Sequence, residues 1–228
     1  MKLLNSGNTK TKKGEKLGYI TYGLHLAPFD LAGKNVCPNA SKGCAAACLN
    51  TAGRGAMANV QQARINKTKF FFQDRDKFLM QLTDEIAKAI KSAARKNMKP
   101  CFRLNLTSDL PWEKFGIMQS FPDVQFYDYT KGFLRFTDYL VGKMPSNYHL
   151  TFSRSEENEP EIDSIVKNQS KGNIAAVFRN ALPDMWNGRK VVNGDETDLR
   201  FLDPKGVIVG LVEKGEAKKD KSGFVIEA

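Results

Sequence analysis

Apolar and polar residues alternate along several short segments of the chain, which is the pattern of β-strands. In the first segment, Ile20, Tyr22 and Leu24 lie on one face, and Tyr19 and Thr21 lie on the other. Strand patterns of this kind occupy residues 18–26, 101–106, 124–128, 148–152, 174–178 and 207–212. Because helical patterns separate these strands, the sequence predicts an α/β fold with a parallel sheet of about six βα units.

The clearest helical patterns fall between the first two of these strands. Residues 60–72 have helical spacing, and Asp74 is a suitable N-cap for a longer helix that begins there. Phe78 and Leu82 belong to the apolar stripe of this second helix. The helix is expected to end before Pro100, because the residue that precedes a proline disfavours helical geometry.

The chain is long enough for one domain with a sizeable core. Its 228 residues are 41% hydrophobic, and no apolar stretch is long enough to span a membrane. Residues 1–16 are polar and rich in lysine, which predicts a flexible basic arm. A single β/α domain is predicted for residues 17–228, with a cysteine-containing loop at 34–56.

The charge of the chain predicts an anionic partner. Lysine and arginine exceed aspartate and glutamate by ten, which gives a net charge of +10 at pH 7. A net positive charge of this size favours binding of nucleic acid, a nucleotide-like cofactor or a phosphorylated substrate. If the partner is nucleic acid, its phosphates are expected to contact a basic segment. The candidate residues are Lys67, Lys69, Lys88, Lys91, Arg95 and Lys96.

Three of the four cysteines lie within twelve residues, at Cys37, Cys44 and Cys48. Cys44 and Cys48 are four residues apart, so a helix would place both sulfurs on one face. Cys37 can reach the same point across a loop that contains Pro38 and Gly43. Three converging thiolates form a soft ligand set that suits Zn²⁺ or an iron–sulfur cluster.

Other interpretations of the cysteines carry less weight. Buried free cysteines usually lie in apolar segments, whereas Asn39, Ser41 and Lys42 make this loop polar. No secretory signal precedes it, which predicts a reducing compartment and disfavours disulfides. A structural zinc site usually has four ligands in two closely spaced pairs, so a 4Fe–4S cluster fits a triplet better, with zinc as the alternative. Cys101 begins a strand and is predicted to be a core residue.

Polar residues mark the carboxyl ends of the predicted parallel strands. In β/α folds these ends form the functional rim, and the cysteine loop leaves the first strand at the same rim. The sequence therefore predicts that polar rim residues bind a cofactor or a small-molecule substrate. They are Asn105, Ser108, Asp109, Lys131 and Arg154. Lys131 and Arg154 suit a carboxylate or a phosphate.

A cysteine triplet after the first strand of a six-unit β/α fold resembles the radical S-adenosylmethionine superfamily. The resemblance implies a partial (βα)6 TIM-like barrel. It also implies that Cys37, Cys44 and Cys48 hold a 4Fe–4S cluster, and that S-adenosylmethionine chelates the open iron. Reductive cleavage of that cofactor, followed by hydrogen abstraction from a substrate, would then be the activity.

Residues 17–28, 44–55, 103–112 and 124–131 are similar to a phage-encoded family, the gene product 88 family. This resemblance implies a viral protein that works in the cytoplasm of a bacterial host. The first functional hypothesis is an iron–sulfur protein, with a radical S-adenosylmethionine enzyme as its catalytic form. The alternatives are a non-catalytic cluster or zinc protein that binds nucleic acid, and an electron-transfer protein in which His25 is a candidate fourth ligand.

Overall fold

Parallel strands follow one another in chain order across the sheet. The computed structural model describes residues 1–7, 9–168 and 171–227. The strands are β1 (Leu4–Asn5), β2 (Tyr19–Leu24), β3 (Lys99–Arg103), β4 (Gln125–Thr130), β5 (Tyr148–Ser153), β6 (Ile174–Phe178), β7 (Met185–Trp186), β8 (Arg189–Asn193), β9 (Ile208–Val212) and β10 (Val225–Ile226). Their order is β1-β2-β3-β4-β5-β6-β9-β8-β7, and β10 also pairs with β6.

The central strands β2 to β6, together with β8 and β9, are all parallel. Antiparallel pairs join β1 to β2 at one end of the sheet and β7 to β8 at the other. On one side of β6, β5 pairs with Ile174 and Ala175, and β10 pairs with Val177 and Phe178. Strands β5 and β10 therefore lie on the same side of β6. Strand β5 pairs with the amino-terminal half of β6, and the short strand β10 pairs with its carboxyl-terminal half.

The helices connect the strands. They are α1 (Thr9–Lys12), α2 (Lys42–Ala46), α3 (Ala58–Gln73), α4 (Arg75–Ala94), α5 (Ile117–Ser120), α6 (Phe133–Leu140) and α7 (Glu159–Asn168). Short 3₁₀ helices cover Lys13–Leu17, Leu49–Thr51, Gly53–Ala56, Trp112–Phe115, Arg200–Leu202 and Gly215–Lys219. The Asp74 side chain accepts a hydrogen bond from the Lys77 backbone N–H, which confirms the N-cap predicted for α4. No helix among the described residues is long and apolar enough to cross a membrane.

The main core lies between one face of the sheet and helices α3 to α7. The sheet contributes the predicted alternating residues Ile20, Tyr22 and Leu24, and later strands add residues such as Phe102 and Phe126. The opposite face carries a smaller cluster in which Cys101 and Tyr127 pack with Leu199. Cys101 is fully buried there, as the sequence predicts. Helices thus cover one face, and the segment around Leu199 packs on the other.

The structure confirms a mixed α/β fold with parallel strands, but the sheet is not a closed barrel. A closed barrel would require its two end strands, β1 and β7, to pair with each other. Each of them instead forms an antiparallel pair with its one neighbour in the sheet. Strands β1, β7 and β10 have two residues each, which is too short for an alternating pattern to reveal them.

The amino-terminal segment also differs from the predicted flexible arm. Leu3 and Leu4 are buried in the main core, and β1 pairs with β2. The Lys13 ammonium donates a hydrogen bond of 2.7 Å to the backbone oxygen of Asp195. Burying each of these leucines is favourable by about 2 kcal/mol, and the Glu85 carboxylate accepts hydrogen bonds from their backbone N–H groups.

Candidate metal centre

Cys37 lies at the rim, in the loop that follows β2. Its backbone N–H donates to the Asn35 side chain at 2.7 Å, and its sulfur accepts a hydrogen bond from the Phe29 backbone N–H at 3.4 Å. The Cys37 thiol also lies 3.8 Å from the backbone oxygen of Thr107. Contacts from both its own loop and the loop after β3 therefore fix this half-buried thiol.

Cys44 is held by the short helix α2. Ser41 is the N-cap, and its hydroxyl accepts a hydrogen bond of 3.1 Å from the Cys44 backbone N–H. The carboxylate of Glu156, in the loop after β5, accepts from the Ser41 hydroxyl at 2.8 Å and from the Gly43 backbone N–H at 2.7 Å. A carboxylate is favourable at a helix N-terminus, where backbone N–H groups lack intrahelical partners.

The structure corrects the predicted relation between Cys44 and Cys48. Helix α2 ends at Ala46, and Cys48 has a non-helical backbone with φ of −59° and ψ of 128°. The two cysteines are therefore not on one face of a common helix. The chain leaves the helix at Ala47, which is buried against Ala217 and Val225 of the carboxyl-terminal segment.

The three thiols are close enough to influence one another's ionisation. Burial raises the pKa of Cys37 to about 11, and Cys48 and Cys44 contribute to that rise. Burial also raises the pKa of Cys48, Cys44 adds to the effect, and Arg64 and Lys131 oppose it. Among the residues that the structure describes, no group of three or more His, Cys, Asp or Glu side chains is placed to hold a metal ion. The cysteines thus share one rim without forming a closed ligand set.

Arg64 of α3 is the buried cation beside Cys48. Its side chain is only 8% exposed and donates to the side chain of Asn50, while its Nε has no hydrogen-bond partner. Sequence reasoning missed this residue, because a basic residue on a polar helix normally faces solvent. Lys67, one turn further along, is also buried and donates to the Leu3 backbone oxygen at 2.7 Å. Lys67 therefore does not belong to a phosphate-binding surface.

The family of the chain follows from its full-length match. A model of the family described as gene product 88 matches residues 2–228. The chain belongs to the gene product 88 family. No curated protein and no solved structure matches it.

In this gene product 88 protein, the predicted rim residues all lie near strand ends, but most of them bind other parts of the protein. Asn105 is buried and accepts a hydrogen bond of 2.7 Å from the Ser108 hydroxyl. Asp109 accepts from the Lys131 backbone N–H at 2.9 Å and from Arg135 at 2.8 Å. The hydrogen bond between Asn105 and Ser108 fixes the loop after β3, and Asp109 joins this loop to the loop after β4.

The two predicted rim cations have different surroundings. Arg154 forms an ion pair with Glu159 and donates to the Phe224 backbone oxygen at 2.9 Å. Its guanidinium therefore fastens the carboxyl-terminal segment. The Lys131 ammonium lies 5.7 Å from the centre of the Phe224 ring and close enough to Cys48 to lower its pKa. Of the five predicted residues, two act electrostatically on a cysteine: Lys131 lowers the pKa of Cys48, and Asp109 raises the pKa of Cys37.

His25 lies at the end of β2, in a positively charged region. Burial lowers its pKa to about 3, and Arg64, Lys67 and Arg103 reinforce this effect. The imidazole is therefore neutral at physiological pH. Its Nδ1 lies 3.4 Å from the side-chain nitrogen of Asn5.

Replacing Glu156 by alanine is expected to lower the free energy of unfolding of the gene product 88 protein by about 1–2 kcal/mol. The substitution removes the acceptor for both Ser41 and Gly43 at the start of α2. The adjacent and exposed Glu157, whose carboxylate is 3.4 Å from the Lys42 backbone nitrogen, provides a matched control. Urea denaturation of the two alanine variants compares them directly. Equal stability losses would contradict a specific role for Glu156.

Proposed function

We propose that Cys37, Cys44 and Cys48 bind a 4Fe–4S cluster as thiolates, with zinc as the alternative metal. The observation that supports the proposal is the presence of three half-buried thiols on one rim, near enough for Cys44 and Cys48 to raise the pKa of Cys37. Cysteines that serve only as core residues are usually buried among apolar side chains, as Cys101 is.

The charges around the thiols support an anionic metal centre. Thiolate ligands carry negative charge, and Arg64 and Lys131 are the cations that favour the thiolate form of Cys48. Arg64 donates hydrogen bonds to the backbone and side-chain oxygens of Asn50, which carry no charge. This contact therefore leaves the positive charge of Arg64 available to a thiolate. A bound cluster would supply one-electron chemistry, and these cations would stabilise its charge.

A catalytic form of the protein would belong to the radical S-adenosylmethionine type. The parallel strands β2 to β6 and β9 lie in chain order, with helices α3 to α7 on one face of the sheet. This arrangement supports comparison with an open (βα)6 barrel, in which the rim is the place for a cofactor. In this proposal Lys131 binds an anionic group of the cofactor or substrate, and the protein acts in the cytoplasm of a bacterial host.

The test is metal analysis and spectroscopy of protein purified without oxygen. We expect a brown protein that contains iron and sulfide and gives an electron paramagnetic resonance signal on reduction. Cys44→Ala should lose the colour and the iron. Cys101→Ala is the matched control, since it removes the one cysteine that lies outside the rim, and it should keep both.

Each outcome of this experiment has a clear meaning. A reduced signal that shifts when S-adenosylmethionine is added would support an open iron and the catalytic form. Zinc in place of iron, lost in Cys44→Ala, would favour the alternative metal. A wild-type protein that binds neither metal after anaerobic reconstitution, or a Cys44→Ala variant that loads as well as the wild type, would refute the proposal.

A nucleic-acid-binding function is the second candidate. Five of the six predicted phosphate contacts are exposed, namely Lys69, Lys88, Lys91, Arg95 and Lys96. The last four lie in the final two turns of α4 or just beyond it. Affinity for nucleic acid that falls steeply as salt rises would support this candidate. Affinity that does not change with salt concentration would exclude a nucleic-acid-binding function.

A further inference from the structure

Residues 213–227 form a carboxyl-terminal strap that follows β9 and includes β10, which pairs with β6. Among residues 214–227, only Ala217 and Val225 are buried. These two side chains pack with Ala47 in a small cluster that is separate from the main core. Because the strap buries so little apolar surface, it has little hydrophobic stabilisation of its own, and we expect it to open more readily than the central sheet.

Two arginines at strand ends hold the strap by its backbone. Arg179, which follows β6, donates to the backbone oxygens of Lys218 at 2.9 Å and Asp220 at 2.7 Å. Arg154, which follows β5, donates to the backbone oxygen of Phe224 at 2.9 Å. Hydrogen bonds of this kind contribute modestly to stability, because water can replace them when the strap opens.

The strap approaches the cysteine loop very closely at two points. A Cβ atom added to Gly43 would lie 2.1 Å from Ser222 Oγ and 2.8 Å from Phe224 Cβ. A Cβ atom added to Gly215 would lie 2.9 Å from the Ala52 Cβ. Both contacts therefore depend on the absence of a side chain at a glycine.

Cys44 and Cys48 lie between these two contact points in the sequence. Ala47, which lies between the two cysteines, is buried against Ala217 and Val225 of the strap. The strap thus contacts the chain before, between and after these cysteines. Its detachment would release the backbone that positions both thiols.

Other side chains hold only the ends of this part of the cysteine loop. Glu156 accepts from the Gly43 backbone N–H at 2.7 Å, and Gln61 donates to the Asn50 backbone oxygen at 2.8 Å. A cavity of about 400 Å³ lies between α2 and the strap, with Lys42 in its lining. Water can therefore enter beside the contacts that Ala47 makes.

Cys37 is held by a different part of the protein. Its sulfur accepts from the Phe29 backbone N–H at 3.4 Å and lies 3.8 Å from the Thr107 backbone oxygen. Both of these residues belong to loops that follow central strands. The three cysteines therefore divide into one that the central sheet fixes and two whose position depends on the strap.

We propose that the strap is a latch that opens by local unfolding and frees Cys44 and Cys48, while Cys37 stays in place. The inference concerns access to the thiols, so it can be tested on protein without metal and stands apart from the proposed metal centre. Its consequence for that centre does rest on the proposed function: metal would enter and leave through two of the three ligands.

The test is pulsed alkylation with iodoacetamide of the full chain, freed of metal by a chelator under reducing conditions. Tryptic cleavage places Cys37 in a peptide of residues 35–42, and Cys44 and Cys48 in a peptide of residues 43–54. Mass spectrometry of one digest therefore gives the labelling rates of the fixed thiol and of the two thiols under the latch.

Two variants open the latch in different ways. Arg179→Met removes the hydrogen bonds to the strap backbone, and Gly43→Ala forces the strap away from α2 without a change of charge. Each should raise the labelling rates of Cys44 and Cys48 about tenfold or more, because local opening becomes more favourable. The rate of Cys37 should stay that of the wild type.

Arg189→Met is the matched control. Arg189 also donates to backbone oxygens, those of Gly172 at 2.6 Å and Ile165 at 2.8 Å, but it holds α7 rather than the strap. We expect this variant to lose stability and yet to label Cys44 at the wild-type rate. The buried Cys101 reports global unfolding in every variant.

Three results would overturn the inference. In the wild type, Cys44 and Cys48 could react as fast as cysteines in an unfolded peptide, which would show that the strap restricts neither thiol. Arg179→Met and Gly43→Ala could both leave these rates unchanged. Both variants could also accelerate Cys37 and Cys101 to the same extent, which would show that the strap unfolds only together with the whole protein.

Discussion

Replacing Asn105 by alanine is expected to lower the free energy of unfolding by about 4 kcal/mol. The Asn105 carbonyl oxygen accepts hydrogen bonds from the Ser108 hydroxyl at 2.7 Å, the Leu110 backbone N–H at 2.9 Å and the Trp112 indole N–H at 3.0 Å. Its amide group donates to the Leu110 backbone oxygen at 2.9 Å. Alanine would leave several of these buried groups without a partner, and water cannot reach them easily.

The same substitution should loosen the cysteine rim. The loop that Asn105 organises includes Asp109, whose backbone N–H donates to the Val36 backbone oxygen at 2.8 Å. It also includes Thr107, which contacts the Cys37 thiol. We therefore expect Asn105→Ala to make the Cys37 thiol more reactive towards an alkylating reagent.

Equilibrium urea denaturation measures the loss of stability. Ser108→Ala is the control, since it removes one of the three donors but leaves the acceptor in place, and it should cost about 1 kcal/mol or less. An Asn105→Ala variant as stable as Ser108→Ala would contradict the central role of this side chain in the loop.

The second large effect is a dependence of stability on pH that comes from Asp128. Burial raises the pKa of this carboxyl to about 7, although Arg103 and the Asn105 backbone N–H act in the opposite direction. In the unfolded chain an aspartate has a pKa of about 3.9. Between these two values the folded state binds more protons than the unfolded state. Stability therefore falls as pH rises from about 4 to about 7.

Asp128→Asn should remove this contribution. Asparagine has nearly the same shape, and its oxygen can still accept from the Asn105 backbone N–H, as Asp128 does at 2.8 Å. Relative to the variant, the wild type should lose up to about 4 kcal/mol of stability between pH 4 and pH 8. Urea denaturation across this pH range measures the difference.

Asp123→Asn serves as the control for this experiment, because Asp123 is exposed and its replacement changes the net charge equally. This variant should follow the pH profile of the wild type. A constant difference between the wild type and Asp128→Asn at all pH values would show that the folded state does not hold an extra proton at Asp128.

The sequence was sufficient for the central sheet because burial imposes a regular pattern on it. Ile20, Tyr22 and Leu24 alternate with Tyr19 and Thr21, and the structure buries the first three in the main core. The parallel order followed from the helical segments between such strands. The predicted barrel was wrong, because alternation identifies strands but does not specify which strands pair at the ends of a sheet.

The candidate site was predictable in position but not in detail. All three cysteines lie on the rim, yet Cys48 is not on a helix with Cys44, because α2 ends after a single turn. Arg64 and Lys67 are buried, which their residue types argue against. Glu156 is 115 residues from Ser41 and 113 residues from Gly43, so only the folded chain reveals these contacts.

The two ends of the open sheet determine how readily one molecule can pair with another. At one end, β1 is only two residues long, and the helices Thr9–Lys12 and Lys13–Leu17 pack beside the rest of β2. At the other end, β7 is also two residues long and belongs to a hairpin. Long, flat edge strands are templates for intermolecular pairing and aggregation. With such short terminal strands, the protein offers few free backbone groups at its edges, so the parallel sheet can remain open without recruiting a second chain.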